Sequence, residues 1–178
     1  MTAIPATPAL VFTDMDGTLL DHDSYSFEPA VPMLQALERA AVPVIPTTSK
    51  TRAELLSLRE ELDNGHPFIT ENGAAVFIPV GYFPACPEGA VEKDDFWVFE
   101  ISAGREHYVA LLEQLRAEFP GEFEHFAEVG AEGVARLTGL PLVKAALANQ
   151  RDYSEPVKWL GSEERREVFL ARLAERCG

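Results

Sequence analysis

Ala9-Leu10-Val11-Phe12-Thr13-Asp14-Met15-Asp16-Gly17-Thr18-Leu19-Leu20 decides the fold. The apolar run Ala9 to Thr13 shows no polar alternation, which predicts a strand buried on both faces of a parallel sheet. It stops abruptly at Asp14-Met15-Asp16-Gly17, and ligands of open α/β sheets bind at such strand carboxyl ends. Two carboxylates separated by one residue at a sharp turn can divide the work. One can serve as nucleophile, the other as acid and base. Gly17 opens backbone angles closed to other residues, and exposed N–H groups in the turn can receive phosphate oxygens. An acidic loop that merely caps a strand end is the alternative, because Asp and Gly are ordinary turn residues. Phe12-Thr13 before the turn and Thr18-Leu19-Leu20 after it shift the balance toward chemistry.

Outward from this stretch the chain alternates. Pro29 to Ala41 predicts a helix, with Pro29 and Pro32 near its first turn, where a missing N–H does little harm. Val42 to Pro46 is a second apolar strand; Pro43 and Pro46 are tolerable only near its ends. Thr51-Arg52-Ala53-Glu54 is a capping box ahead of Leu55, Leu56, Leu58 and Leu62, and Asp63-Asn64-Gly65 stops that helix. Pro67 to Thr70 follows as a third strand. Strand, helix, strand, helix, strand is the rhythm of a right-handed parallel α/β sheet. After Glu71-Asn72-Gly73 the rhythm changes. Ala75 to Val80 predicts a strand leaving the core, Pro84 to Asp95 an irregular acidic segment, and Phe96 to Ser102 a strand. A helix over Arg105 to Phe119, two short helices within Ala131 to Gln150, a strand near Glu155 to Leu160 and a charged helix opened by Ser162 complete the pattern. Residues 1–80 are expected to form a parallel core and 81–178 a mixed α+β unit.

Composition narrows the partners. With 178 residues, 47% of them apolar and 25% charged, the chain is long enough to bury a real core. Its net charge of −14 argues against a nucleic-acid partner, so an anionic ligand needs a local device of backbone N–H groups, a divalent cation or a few placed cations. The two cysteines, Cys86 and Cys177, are too few for a disulfide framework or zinc site. No apolar run reaches membrane-spanning length and Met1 to Pro8 lacks the charged start of a signal peptide, so a cytoplasmic protein with no membrane partner is expected. His22, His66, His107 and His125 show no ligand spacing and read as surface or satisfied histidines. Trp97 and Trp159 read as packing residues.

Val11-Phe12-Thr13-Asp14-Met15-Asp16-Gly17-Thr18-Leu19-Leu20-Asp21 resembles the first motif of the haloacid dehalogenase superfamily, in its phosphatase branch. Thr48, within Pro46-Thr47-Thr48-Ser49-Lys50-Thr51-Arg52, matches the second motif, a Ser or Thr ending the next core strand. With Pro67-Phe68-Ile69-Thr70-Glu71-Asn72-Gly73-Ala74 and Arg151-Asp152-Tyr153-Ser154-Glu155-Pro156, this segment is similar to the mannosyl-3-phosphoglycerate phosphatase family of the Cof-type group. The resemblance implies a partial Rossmann-like parallel core of the haloacid dehalogenase fold with an inserted α+β cap. It also implies phosphoryl transfer from a small phosphorylated sugar-glycerate, with Asp14 as nucleophile, Asp16 as acid and base, and Thr48 as hydroxyl donor to the phosphoryl group. Mg²⁺ would be held by the Asp14 carboxylate and the Asp16 backbone carbonyl. Gly17, Thr18, Ser49, Lys50, Arg52, Asn72, Gly73, Arg151 and Ser154 are the implied substrate contacts.

Lys50 and Arg52, cations at a helix N-terminus, oppose the helix dipole and so point to an anionic ligand; solvated surface charges are the alternative. Arg151 and Ser154 can hold the glycerate carboxylate, or belong to an ordinary loop; Asn72-Gly73 either lines the entrance to the cap or is a plain turn. The same families carry a later lysine and a Gly-Asp-x-x-x-Asp segment. The lysines here are Lys50, Lys93, Lys144 and Lys158, and neither Asp94-Asp95 nor Asp152 has the required spacing. A fragment is therefore expected, the first half of a core plus most of a cap. Such a half core exposes an apolar edge that a homo-oligomer could cover. A hexose-phosphate or phosphoglycolate phosphatase and a non-catalytic sugar-phosphate or protein-binding remnant are the competing functions.

Overall fold

The computed structural model of the chain describes residues 9–21 and 25–177. His22 and the Met1 to Pro8 leader reading lie outside the described residues. The elements run β1 (Val11–Thr13), a 3-10 turn (Glu28–Ala30), α1 (Val31–Arg39), β2 (Val44–Pro46), α2 (Arg52–Glu61), β3 (Phe68–Thr70), β4 (Ala75–Pro79), β5 (Val91–Lys93), β6 (Phe96–Glu100), α3 (Arg105–Leu115), β7 (Phe123–His125), α4 (Phe126–Thr138), α5 (Leu142–Ala148), β8 (Val157–Trp159) and α6 (Glu163–Cys177). They form two compact units. One holds the chain to Lys50 together with Leu55–Ile101, the other Thr51–Glu54 together with the chain from Ser102 onward.

In the first unit β1 and β2 are parallel, with Val11 opposite Val44 and Thr13 opposite Pro46. A parallel bridge between Thr47 and Ile69 continues the order to β3. The sheet then extends antiparallel through β4, β6 and β5. Pro46 fits because it closes β2, and Pro43, just before the strand, still offers its carbonyl to the Val11 N–H at 2.9 Å. Phe68 stacks on Phe77 at 5.0 Å, with the edge of Phe96 against both. The Arg59 guanidinium lies 4.4 Å from the Phe68 ring, and burial lowers its pKa to about 10.

Three expectations change here. β1 is not buried on both faces: Leu10 is 60% and Phe12 61% exposed, because β1 pairs with β2 alone among the described residues. Among the described residues the strand thus has an apolar edge with no partner strand. The expected boundary at 80/81 also differs from the division of the units at Ile101 and Ser102. β4 does not leave the sheet; it pairs along its whole length with β6, and β6 with β5.

The capping box forms as read. Thr51 N–H donates to Glu54 Oε2 at 2.9 Å and Glu54 N–H to Thr51 Oγ1 at 3.1 Å. The Thr51 hydroxyl also donates to Leu147 O at 3.0 Å. Thr51→Ala removes the cap and is expected to cost about 1–2 kcal/mol in urea denaturation. An unchanged midpoint would show that the box adds nothing to stability.

The second unit pairs β7 with β8 antiparallel, Phe123 opposite Trp159. Leu112, Leu115, Phe119, Phe123 and Phe169 form its core, with Trp159 and Leu173 packed against them. α4 begins five residues before the expected start at Ala131 and kinks at Gly130 (φ 63°), whose conformation breaks the helical pattern. Gly139 (φ 77°) ends α4, and Pro141 precedes α5, as the Gly-Leu-Pro break predicts. Among the described residues no helix is long and apolar enough to cross a membrane.

Candidate active site

Met15, fully buried, anchors the turn after β1 and leaves Asp14 and Asp16 on the solvent side. Its N–H donates to Asp14 Oδ1 at 2.7 Å, while its carbonyl accepts the Leu20 N–H at 2.8 Å. These bonds close a small loop holding Gly17 (φ 69°) and Thr18 between Asp16 and the buried Leu20. A left-handed residue is required at the loop's tip, and glycine supplies it without steric cost.

The segment after β2 is laced to the end of β3. Thr48 N–H donates to Ile69 O at 3.1 Å, Asn72 N–H to Thr48 O at 3.0 Å and Glu71 N–H to Lys50 O at 3.1 Å. Thr48 is 3% exposed, and its Oγ1 accepts the Lys50 N–H at 3.2 Å. Glu71 (φ 50°), Asn72 (φ 61°) and Gly73 (φ 92°) are successive left-handed residues. The first two hold that conformation at a cost of about 1–2 kcal/mol each. Strain of this kind persists only where surrounding bonds dictate it, as the three N–H donations do here.

These loops enclose an open cavity of about 570 Å³ lined by Phe12, Thr13, Asp14, Thr47, Thr48, Ser49, Ile69 and Asn72. Asp14, Thr48, Ser49 and Asn72 therefore share one cavity at the carboxyl ends of β1, β2 and β3. Lys50 Nζ sits 2.8 Å from Asp16 Oδ1, tying the second loop to the first, and 5.9 Å from the Tyr25 ring centre. Lys50 turns to Asp16, whereas Arg52, in the second unit, pairs with Asp152 at 3.2 Å. Arg151 and Ser154 also belong to the second unit, where Arg151 Nε donates to Ser154 Oγ at 2.7 Å.

The Asp14 carboxylate and Asp16 backbone carbonyl are hard oxygen donors of the kind Mg²⁺ takes. Among the described residues no group of three or more His, Cys, Asp or Glu can hold a metal. Two protein donors suit Mg²⁺, which keeps several waters and shares its shell with substrate phosphate.

His125 and His66 are satisfied, as read. His125 is buried, its Nδ1 2.8 Å from Glu155 Oε1 and its Nε2 3.2 Å from Glu113 Oε1; His66 lies between Tyr82 and Glu38. Burial works to raise the Glu155 carboxyl, but hydrogen bonds from Arg105, the Ala127 N–H and His125 hold it below the usual carboxylate range. Neither Arg105 nor Glu155 stands out in the sequence as a buried ion pair, since fifty residues separate them.

Residues 11–81 match the haloacid dehalogenase-like hydrolase family. The chain is 41% identical over 169 residues to a glucosyl-3-phosphoglycerate/mannosyl-3-phosphoglycerate phosphatase of Methanococcoides burtonii, covering 95% of this chain and 62% of that protein. A protein of the same name from Persephonella marina is 34% identical over 169 residues, with 95% and 61% covered. The chain thus spans about three fifths of the length of these relatives. Among solved structures, a phosphatase of the haloalkanoate enzyme superfamily from Bacteroides thetaiotaomicron superposes with a TM-score of 0.61 at 14% identity, covering 97% of this chain and 63% of that one. A subclass IIB sugar phosphatase superposes at 0.56 with 19% identity, covering 94% and 64%. Both share the fold with this chain.

Proposed function

We infer that the chain, like the haloacid dehalogenase-like hydrolases that its residues 11–81 match, is by lineage a phosphoric monoester hydrolase and supplies the nucleophile and phosphate-binding loops for hydrolysis of a phosphorylated sugar-glycerate. The observation that carries this reading is the gathering of Asp14 and Thr48 on one cavity, with Asp16 one residue beyond a buried anchor. Asp14 attacks phosphorus as the bond from phosphorus to the sugar-glycerate oxygen breaks, and Asp16 gives its proton to that departing oxygen. Asp16 then takes a proton from the water that attacks the aspartyl-phosphate, which frees phosphate and restores Asp14. The Thr48 hydroxyl donates to a phosphoryl oxygen, and Lys50, paired here with Asp16, offers a cation for the phosphate charge. Mg²⁺, held by the Asp14 carboxylate and the Asp16 carbonyl, would offset the negative charge of the ester. The substrate class follows the names of the two relatives.

Incubating the pure chain with mannosyl- and glucosyl-3-phosphoglycerate should release phosphate in the presence of Mg²⁺, and excess EDTA should stop the release. Hexose phosphates and phosphoglycolate serve as the comparison panel, and faster release from one of them would move the substrate assignment. Absence of release from every ester would overturn the catalytic reading; ligand-induced thermal stabilisation without turnover would identify a binding remnant instead.

A further inference from the structure

Each acid of the Asp14-Met15-Asp16 turn has one carboxylate oxygen engaged. Asp14 Oδ1 accepts the Met15 N–H at 2.7 Å, and Asp16 Oδ1 stands 2.8 Å from Lys50 Nζ. The first contact is made by a neighbour in sequence. The second reaches across from the segment after β2, and both of its residues belong to the first unit.

Lys50 is well fixed for a residue outside a helix or strand. Its N–H donates to Thr48 Oγ1 at 3.2 Å and its carbonyl accepts the Glu71 N–H at 3.1 Å, so the backbone is bound on both sides of its Cα. The Tyr25 ring centre lies 5.9 Å from its Nζ, within cation–π range. Tyr25 is itself held in a left-handed conformation (φ 56°), where its N–H donates to Asp21 O at 3.0 Å. The Lys50 side chain is 19% exposed and that of Asp16 41%, so the ammonium is the anchor and the carboxylate the part that is held. An aspartate side chain open to water samples several rotamers unless a contact selects one. Selection matters here, because a proton donor works only within hydrogen-bond reach of the atom it serves.

We propose that Lys50 is a positioning residue, which holds Asp16 by Oδ1 and so leaves Oδ2 as the oxygen that serves the departing ester oxygen. The proposal rests on the reading that Asp16 is the acid of phosphoryl transfer. In that step a bond forms from Asp14 to phosphorus, the bond from phosphorus to the ester oxygen breaks, and the proton on Oδ2 passes to that oxygen. Lys50 keeps its own protons throughout.

The leaving group separates this role from simple neutralisation of the phosphate charge. A sugar-glycerate alkoxide needs a proton in order to depart, whereas 4-nitrophenolate departs without one. Comparing kcat/KM confines the reading to phosphoryl transfer, ahead of the water step. The two esters are 4-nitrophenyl phosphate and mannosyl-3-phosphoglycerate, or whichever alkyl ester of the panel the wild type hydrolyses fastest. K50M is expected to lose about 100-fold on the alkyl ester, a loss at least tenfold larger than on the aryl ester. D16N should show the same bias. K50R keeps a cation beside Oδ1 and should return the ratio of the two kcat/KM values to within about threefold of wild type. An ion pair this open to water adds little to stability, so K50M is expected to fold, as urea denaturation checks; if it does not, K50Q carries the comparison. Equal losses on the two esters in the folded variant would place Lys50 on the phosphate alone, which overturns the proposal and leaves the phosphatase reading standing. An unbiased D16N would remove the acid role of Asp16 and the proposal with it. A wild-type chain that hydrolyses neither ester overturns the phosphatase reading and the proposal together.

Discussion

Asp14→Asn is expected to leave the chain folded and to abolish phosphate release, by about 10⁴-fold or more, the scale of losing a nucleophile. The carboxamide preserves the volume of the side chain and still offers an oxygen to the Met15 N–H, which donates to Oδ1 at 2.7 Å. It presents no anionic oxygen to phosphorus. Asp14 is exposed, so the substitution should move the unfolding midpoint by no more than about 0.5 kcal/mol. Phosphate release and urea denaturation on the same samples separate the two effects. Equal rates in variant and wild type would remove Asp14 from the chemistry and with it the aspartyl-phosphate.

The largest stability effect is expected in the second unit. Phe119 is fully buried, with Phe169 at 5.3 Å, Trp159 at 6.1 Å and the Arg165 guanidinium 4.4 Å above its ring. Arg165 is held there by Glu122 at 2.8 Å, so the aromatic core is closed from outside by an ion pair. Phe119→Ala removes the ring from this packing and is expected to cost about 3–5 kcal/mol in urea denaturation. A loss below about 1 kcal/mol would mean that the cluster collapses into the space or contributes little to cooperativity.

How much of this was legible in the chain depends on the range of the interactions. The first three strands and two helices follow from local signals: a continuous apolar run, prolines placed at a helix start, and a Thr51–Glu54 box whose bonds form as read. β5 was not legible because Val91, Glu92 and Lys93 are all exposed, so no buried face marks them as a strand. β7 has no signal in the sequence because three residues give too short a pattern, and its partner β8 lies more than thirty residues later. Gly130 hid the start of α4 by placing a left-handed residue inside it. At the site, the adjacency of Asp14 and Asp16 is written in the chain, and Thr48 follows from the end of the next strand. The Lys50–Asp16 pair is not, nor is the Arg105–Glu155 clamp, because both join residues distant in sequence. Spacing alone groups Arg52 with Lys50, whereas the two side chains pair with different partners.

The flank of β1 that no strand among the described residues pairs bears on how the protein behaves in the tube. Its backbone groups offer a ready template for a second molecule, and the side chains of Leu10 and Phe12 add a greasy stripe beside them. Mutual repulsion between molecules of charge −14 opposes that sticking in dilute buffer. Added electrolyte shortens the reach of the repulsion and leaves the stripe untouched. Light scattering is therefore expected to show the least association at low ionic strength and to rise as salt is added.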